Sequence, residues 1–561
     1  MRKIFIVPLF FLYAFSFKQT YAQSYQKLTD SALHVMWAAK DTAGYRRSLN
    51  LYEEAFKLYP RNIDETALYK SAVLAGELKE IDKSFSYLER LLAVNNQNNN
   101  TWRSITGKFA KDEYKNLLTD QRWVLLVKKA ELLKAAFFND LAQAQSEFQQ
   151  NNWETLKLFQ IKDGKTLYNH IKSFNHFKPK SKQNYSIKFK VKDSLYTSYY
   201  VSLPPKYNPE KRYAVLFFLH GAVQSNALSE FQSIDILQGW NRFYTKYADL
   251  NDVIMVYPKA SRQYNWMTPN DGFFMVPAML KELKQSVNID DDKVFIIGHS
   301  NGATGSFSYL MKQQNPFAGF YGFNTRPVVR TGGTFILNIK NRSFFNVSTD
   351  QDYYFPPGGN DSLNVIMKSL KADYQDHRYN GFPHWFPQFD ESETVYPLIF
   401  KDIRERSRMP FRKQIYWECD DINYGRADWI QITALDTVHQ AANWHKTINF
   451  NIHRLLAYNK SNELIAKDTL LKAFNFPRKS GAIRCDYNNN TFRIETSRVG
   501  ALKIFISPEM VDMDKPVWVY VNGKLKIKYK TFYNRKFIVR NFNENYDRKA
   551  LWVDELLVNV D

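Results

Sequence analysis

The sequence predicts three successive architectures: an α-helical region, an α/β domain with a mostly parallel sheet, and a small C-terminal β-sandwich. Three observations carry this. From Ser24 to about Trp153, apolar residues recur every three and four positions and Gly and Pro are scarce, the pattern of helices with one buried face. From Tyr185 to about Phe400, unbroken apolar runs such as Tyr213–Leu219, Val253–Tyr257 and Val294–Ile297 alternate with helical stretches, as parallel strands covered on both faces do. Beyond Phe400 the apolar runs are short, and Asn522-Gly523 between two of them is a hairpin signal. At 561 residues, with 44% hydrophobic and 16% aromatic content, the chain is globular and too long for one domain.

The first residues read as a targeting segment. Met1-Arg-Lys precedes an apolar run from Ile4 to Phe17, and Thr20-Tyr21-Ala22 leads into polar sequence. That run falls short of the ~20 residues of a spanning helix, so residues 1–22 are expected to be a cleaved signal peptide. No cysteine stands near the cleavage region, so no lipid anchor is expected, and the mature chain is expected to be exported, periplasmic or secreted, with no transmembrane segment. Loss of Arg2, Lys3 and Lys18 with the leader takes the net charge from +21 down by three to +18. Because the basic residues are interleaved with acids rather than gathered in one patch, no nucleic-acid partner is expected.

Within the helical region Ser48, Tyr52, Ala55 and Pro60 recur as Ser84, Leu88, Leu91 and Asn96, an offset of 36 residues. This resembles the tetratricopeptide repeat, with a period near 34 residues. The resemblance spans about residues 30–120 and implies a surface for a protein partner or a cap on the following domain. Residues 154–184, without sustained periodicity, read as a linker.

The α/β region, residues 185–400, holds the chemistry. Ser186–Val191 alternates as a strand, Tyr196–Leu203 follows it, and Tyr213–Leu219 is a buried strand ending at His220-Gly221-Ala222. After the strand Val253–Tyr257 comes an amphipathic helix, Phe274–Val287, and then Asp290-Asp-Asp-Lys, read as a turn. The strand Val294–Ile297 then runs into Gly298-His299-Ser300-Asn301-Gly302, and Ser306–Met311 continues as a helix. A serine in a strand–tight turn–helix setting, with small residues two before and two after, is held up at the strand end above a helix N-terminus. The positive end of that helix lies where a carbonyl oxygen would become an oxyanion.

Leu219-His-Gly, Tyr257-Pro258, Trp266 and Ile297-Gly-His-Ser-Asn-Gly together resemble the α/β-hydrolase family, close to its esterase and polyhydroxyalkanoate-depolymerase-like branch. The resemblance implies a nucleophile–acid–base order along the chain. Ser300 is then the nucleophile. The acid follows the strand beginning at Ser343, where Asp352 stands four residues before Pro356 as the family's aspartate does, with Asp350 the alternative. The base follows one more helix, Leu363–Tyr374, in the loop Gly381-Phe-Pro-His384-Trp-Phe-Pro, and His377 competes with His384 from the helix end. A histidine suits the task because imidazole takes and returns protons near neutrality, and an aspartate beside it fixes its tautomer. Backbone N–H groups of Asn301 and of Ala222, or Val223, are the expected oxyanion donors.

In the region 413–561, Gln414–Trp417, Trp429–Thr433, Phe492–Thr496, Ala501–Ser507, Val517–Val521 and Phe537–Val539 read as strands. His439, His445 and His453 lack metal-ligand spacing, so neither metal nor cofactor is expected. The acidic run Glu418–Asp421 suits a turn or pairing with arginines better than a cation, and Cys419 and Cys485 are the one pair from which a disulfide could form. The expected activity is hydrolysis of a small-molecule or polymer ester through a Ser-His-Asp triad. A serine peptidase of the same fold, or a non-catalytic scaffold that binds through its repeats, are the alternatives.

Overall fold

A computed structural model describes residues 25–94, 100–158, 160–267, 272–461 and 463–560. The signal-peptide expectation falls on residues 1–22, outside the described residues. Among the described residues no helix is long and apolar enough to cross a membrane. The chain divides into two compact units, Met1–Gln143 and Ala144–Asp561.

The first unit is helical. Helices α1 (25–38), α2 (Thr42–Leu58), α3 (Glu65–Glu77) and α4 (Ile81–Leu92) bury Leu49, Tyr52, Ala55, Leu68, Ala72, Leu88 and Leu91. Asp41 and Asp64 cap α2 and α3, accepting from the Gly44 and Ala67 amides, because first-turn N–H groups have no partner inside a helix. Ser48 and Ser84, the serines 36 positions apart, both donate at 2.7 Å to a carbonyl of an earlier helix, Ala32 O and Ala72 O. Helix α5 (Gln121–Phe148) runs on into the second unit.

In the second unit an eight-stranded sheet has the order β1-β2-β4-β3-β5-β6-β7-β8. Its strands are β1 (Asn184–Lys192), β2 (Leu195–Ser202), β3 (Tyr213–Leu219), β4 (Val253–Pro258), β5 (Ile289–His299), β6 (Gly319–Phe323), β7 (Ser343–Gln351) and β8 (Tyr374–Pro383). Strand β2 runs antiparallel to β1 and β4, and every pairing from β4 through β8 is parallel. Helices α7 (Arg242–Leu250), α8 (Met275–Ser286), α9 (Asn301–Lys312), α10 (Pro357–Ser369) and α11 (Tyr396–Glu405) belong to this part, following α6 (Gly164–Ser173). Two apolar clusters take up the strands' alternating side chains: Val215, Phe217, Ile254 and Ile296 enter one, and Leu216, Phe218, Met255 and Ile297 the other. Burial on both faces is why these strands read as continuous apolar runs.

Several expectations are corrected. Asp290–Asp292 is not a turn but part of β5, where Lys284 and Arg548 reach Asp291 and Arg408 reaches Asp292. His377 sits on β8 rather than at a helix end, its ring stacked on Phe345 at 4.3 Å. The stretch 154–184 is no bare linker: it holds α6, whose Leu167 and Ile171 share a core with the C-terminal strands. Residues Phe537–Val539 lie in a helix, α12 (Arg535–Asn545), started by the Asn534 side chain accepting from the Phe537 amide.

The C-terminal strands form a five-stranded and a four-stranded sheet that share one apolar cluster. They are β9 (Gln414–Cys419), β10 (Arg426–Ala427), β11 (Ile430–Leu435), β14 (Gly481–Asn488), β15 (Thr491–Ser497), β16 (Val499–Ile506), β17 (Val517–Val521), β18 (Lys524–Tyr529) and β19 (Asp554–Asn559). Between β11 and β14 the chain leaves them to form a separate hairpin, β12 (Asn451–Tyr458) with β13 (Leu464–Lys472). Asn522 and Gly523, both at positive φ, make the turn between β17 and β18. Cys419 lies opposite Gly481 and Cys485 opposite Ile415, so the two thiols are free and buried, and no disulfide joins them.

Candidate active site

Ser300 sits between β5 and α9 at φ 58°, ψ −120°, a conformation that side chains rarely adopt. Its neighbours explain the glycines of the turn. A Cβ on Gly298 would lie 2.2 Å from Gly302 C, and one on Gly302 would lie 1.7 Å from Leu219 O. Only bare backbone lets α9 start this close to β3 and β5.

Asp352 and His384 are brought together: His384 Nδ1 donates to Asp352 Oδ2 at 2.7 Å, and both residues are almost fully buried. The other carboxylate oxygen, Oδ1, accepts from the amides of Tyr354 and Phe355 at 2.9 Å each. Asp350 does other work. It accepts from the Gly381 amide at 2.8 Å, tying the exposed end of β7 to the end of β8 that leads to His384.

The carbonyl of His384 is held twice, by His299 Nε2–H at 2.8 Å and by Asn324 Nδ2 at 2.9 Å. His299 precedes Ser300, so this bond links the backbone of His384 to the turn that carries Ser300. Asn324, left-handed at φ 52°, takes Thr349 Oγ1–H on its Oδ1 at 3.2 Å, and the same hydroxyl lies 3.3 Å from Pro383 O. Sequence reasoning missed Asn324 because its partner is a carbonyl that only the tertiary fold delivers. Nor did it single out Thr349, for the same reason. Burial pushes the His299 imidazole down to about 3, so it is a neutral donor.

Among the described residues no hydrogen bond yet joins Ser300 Oγ to the imidazole. With Nδ1 donating to Asp352, the Nε2 lone pair is free to accept a proton.

No family model and no curated protein matches the chain. Solved structures similar to part of it include a thermostable esterase, at 18% identity over 40% of this chain and 64% of that one, TM-score 0.34. A ferulic acid esterase shares 16% identity over 39% of this chain and 98% of its own, TM-score 0.32. A putative dipeptidyl aminopeptidase IV from Bacteroides ovatus ATCC 8483 shares 11% over 40% and 35%, TM-score 0.34. The chain thus spans less than two thirds of the thermostable esterase's length.

The expected oxyanion donors divide unequally. Val223 N–H is already taken by Asn301 Oδ1 at 3.2 Å, whereas the Ala222 and Asn301 amides have no partner among the described residues. Asn301 opens α9, where first-turn amides are unsatisfied, and Ala222 is left-handed at φ 51°. His220 supports this loop from behind. Ala260 N–H donates to its Nε2 at 3.1 Å, so its Nδ1–H faces Gly221 O at 2.7 Å, and burial pushes the ring down to about 4.

The mouth of the site is aromatic. The rings of Tyr354, Phe355 and Trp385 stand 5.0, 5.2 and 5.5 Å from the His384 ring, and Tyr354 and Trp385 are partly exposed. The acidic run Glu418–Asp421 makes structural bonds. Glu418 accepts from Ser480 at 2.6 Å and meets His445 at 2.9 Å, and Asp420 pairs with Lys312 and Arg478. No group able to hold a metal ion occurs among the described residues.

Proposed function

We propose that the chain is an exported serine hydrolase that cleaves carboxylic esters through an acyl-enzyme on Ser300. The observation that carries this is the 2.7 Å Asp352–His384 bond, in a base whose carbonyl is tied to the residue before a serine on a strained strand–helix turn. A hydroxyl attacks an ester only if a base accepts its proton as the bond forms. His384 Nε2 takes the Ser300 Oγ proton, and Asp352 stabilises the imidazolium. The carbonyl oxygen, now negative, is received by the Asn301 and Ala222 amides. The imidazolium then protonates the leaving alcohol, and water repeats the cycle on the acyl-enzyme to release the acid. One lost oxyanion donor typically costs on the order of 10²–10³ in rate.

The experiment is labelling of the full chain with a fluorophosphonate. A single adduct is expected on Ser300, absent from Ser300→Ala. Undiminished labelling of that variant would sink the assignment. A panel of acyl esters beside peptide p-nitroanilides tests the bond class, and faster amide cleavage would move the reading to a peptidase.

A further inference from the structure

A cavity of about 490 Å³ lies beside the candidate triad and has no role in the chemistry above. Protein interiors rarely hold voids larger than a water, and this volume falls in the range of small-molecule sites. One wall is Tyr353–Pro356, the loop that directly follows Asp352. Phe355 serves both sides of it, giving its amide to Asp352 Oδ1 and setting its ring edge-on to His384. A second wall is the loop after β6, Thr325–Val328. Arg326 O accepts from Thr304 Oγ1 on α9 at 3.1 Å, and Thr325 O from Asn360 Nδ2 on α10 at 3.1 Å. The cavity therefore opens among loops at the C-terminal ends of β6 and β7, where open α/β sheets bind ligands.

The third wall comes from far along the chain. Among the described residues the hairpin β12–β13 pairs with no other strand, and an isolated two-stranded hairpin is marginal in water. Its base is clasped, with Asn449 bonding Phe474 N and O at 3.0 and 2.8 Å, and the Phe474 ring enters the apolar core around the eight-stranded sheet. From there Ile452, Leu455, Leu456 and Leu471 line the cavity, and Tyr458 packs on Tyr353 at 4.9 Å. Among the described residues no carboxylate lines it, and Arg326 and Lys472 are its charged residues.

We infer that this cavity is a specificity subsite that takes the bulky apolar acyl group of the ester, aryl or medium-length alkyl, with β12–β13 as the arm that encloses it. The inference rests on the hydrolase reading for the position of the scissile bond. The apolar side chains explain the class, since each methylene moved from water into an apolar wall favours binding. The aromatic wall shared with His384 explains why a group seated there belongs to a substrate of that site.

The test compares kcat/KM for p-nitrophenyl acetate, octanoate and 3-phenylpropanoate, the last two arms separating alkyl from aryl. An Ile452→Ala/Leu456→Ala double variant should lower the ratio of the preferred bulky ester to acetate at least tenfold. Gly359→Leu fills the cavity from the opposite wall, where an added Cβ meets only Ile452 Cδ1 at 4.0 Å, and should do the same. Leu470→Ala, exposed and outside the cavity, should leave the ratio unchanged. Octanoate or 3-phenylpropanoate should also bind full-length Ser300→Ala calorimetrically, and more weakly once the cavity residues are changed. An unchanged ratio in folded cavity variants, or no binding of either acid to Ser300→Ala, overturns the inference. Cleavage of acetate with no preference for bulk leaves the hydrolase standing and removes the subsite. Absence of all esterase activity and labelling fails the hydrolase reading, while calorimetry still decides the cavity.

Discussion

Asp352 gives one carboxylate oxygen to the imidazole and the other to two backbone amides, so an asparagine there can keep the turn and still lose the charge. Asp352→Asn should fold and melt close to the wild type, yet lose roughly 10⁴ in kcat on an ester, because the amide no longer fixes the productive tautomer. Asp350 offers a different contrast. Its carboxylate accepts from the Gly381 amide, a bond that an asparagine oxygen can also accept. Asp350→Asn should therefore keep nearly full activity and lose no more than about 1 kcal/mol of stability. Rates and melting temperatures reversed between the two variants would move the acid to Asp350. At this scale the sequence carries the residues whose chemistry sits in their type and local setting. Ser300 is legible between Gly298 and Gly302, and His384 between Pro383 and Trp385. His299, Asn324 and Thr349 are not, because they act on a carbonyl oxygen, and any residue supplies one of those.

Elements with an unambiguous pattern were legible and the others were not. Strands β3 and β4 are continuous apolar runs, and both are read from sequence within a residue. Strand β6 is five residues with two glycines, and β8 is a half-exposed edge strand full of polar residues, so neither stands out. Three apolar residues at Phe537–Val539 fit a strand or a helix equally well, and only the Asn534 cap distinguishes them. The Asp290–Asp292 run looked like a turn because two of its counter-charges, Arg408 and Arg548, are remote in sequence, and Lys284 reaches it only once the preceding helix packs beside β5. Asp547 completes that buried cluster, 2.8 Å from Arg408 and 3.2 Å from Lys284. Burial opposes its charge, but Arg408 and Lys284 hold its carboxyl far below the ordinary range. A depressed pKa stabilises the fold fully above the unfolded value near 4, and the contribution fades as pH falls below it. His220 and His299 act in a higher window. Both are kept neutral by burial, so the unfolded chain takes up protons below about 6.5 that the fold refuses. Melting temperature should thus begin to fall below pH 6.5 and drop further below pH 4. Asp547→Ala should cost roughly 3–5 kcal/mol at pH 7 by leaving two buried cations short of a partner. Calorimetric melts across pH 3–8 check both, and a flat profile from pH 7 to 4.5 would contradict the histidine assignment.

At the scale of the whole chain, the boundary between the two units can be placed by asking which aromatic rings the α/β unit needs. Sequence periodicity puts the end of the helical region near Trp153, but the second unit begins at Ala144. The residues between are part of its core and its edge. Gln145 bonds both the amide and the carbonyl of Lys188 on the edge strand β1, at 2.9 and 3.1 Å, supplying partners that an open sheet edge lacks. Phe148 packs on Tyr185 at 4.8 Å. Trp153 stacks on Phe174 at 4.2 Å, meets Phe542 at 4.8 Å, and donates its indole N–H to Lys284 O at 3.0 Å. It thereby joins the C-terminal core to α8 of the eight-stranded sheet, and losing a buried tryptophan costs roughly 3–5 kcal/mol. All three triad candidates and both proposed oxyanion donors lie beyond Ala144. A protein of residues 144–561 should therefore fold cooperatively and cleave a short acyl ester within about threefold of the full chain. One of residues 154–561, shorter by ten positions, should melt well below it or aggregate. Equal stability of the two would show that Gln145, Phe148 and Trp153 are dispensable. Complete loss of hydrolysis in a cooperatively folded 144–561 would show that the helical unit completes the site.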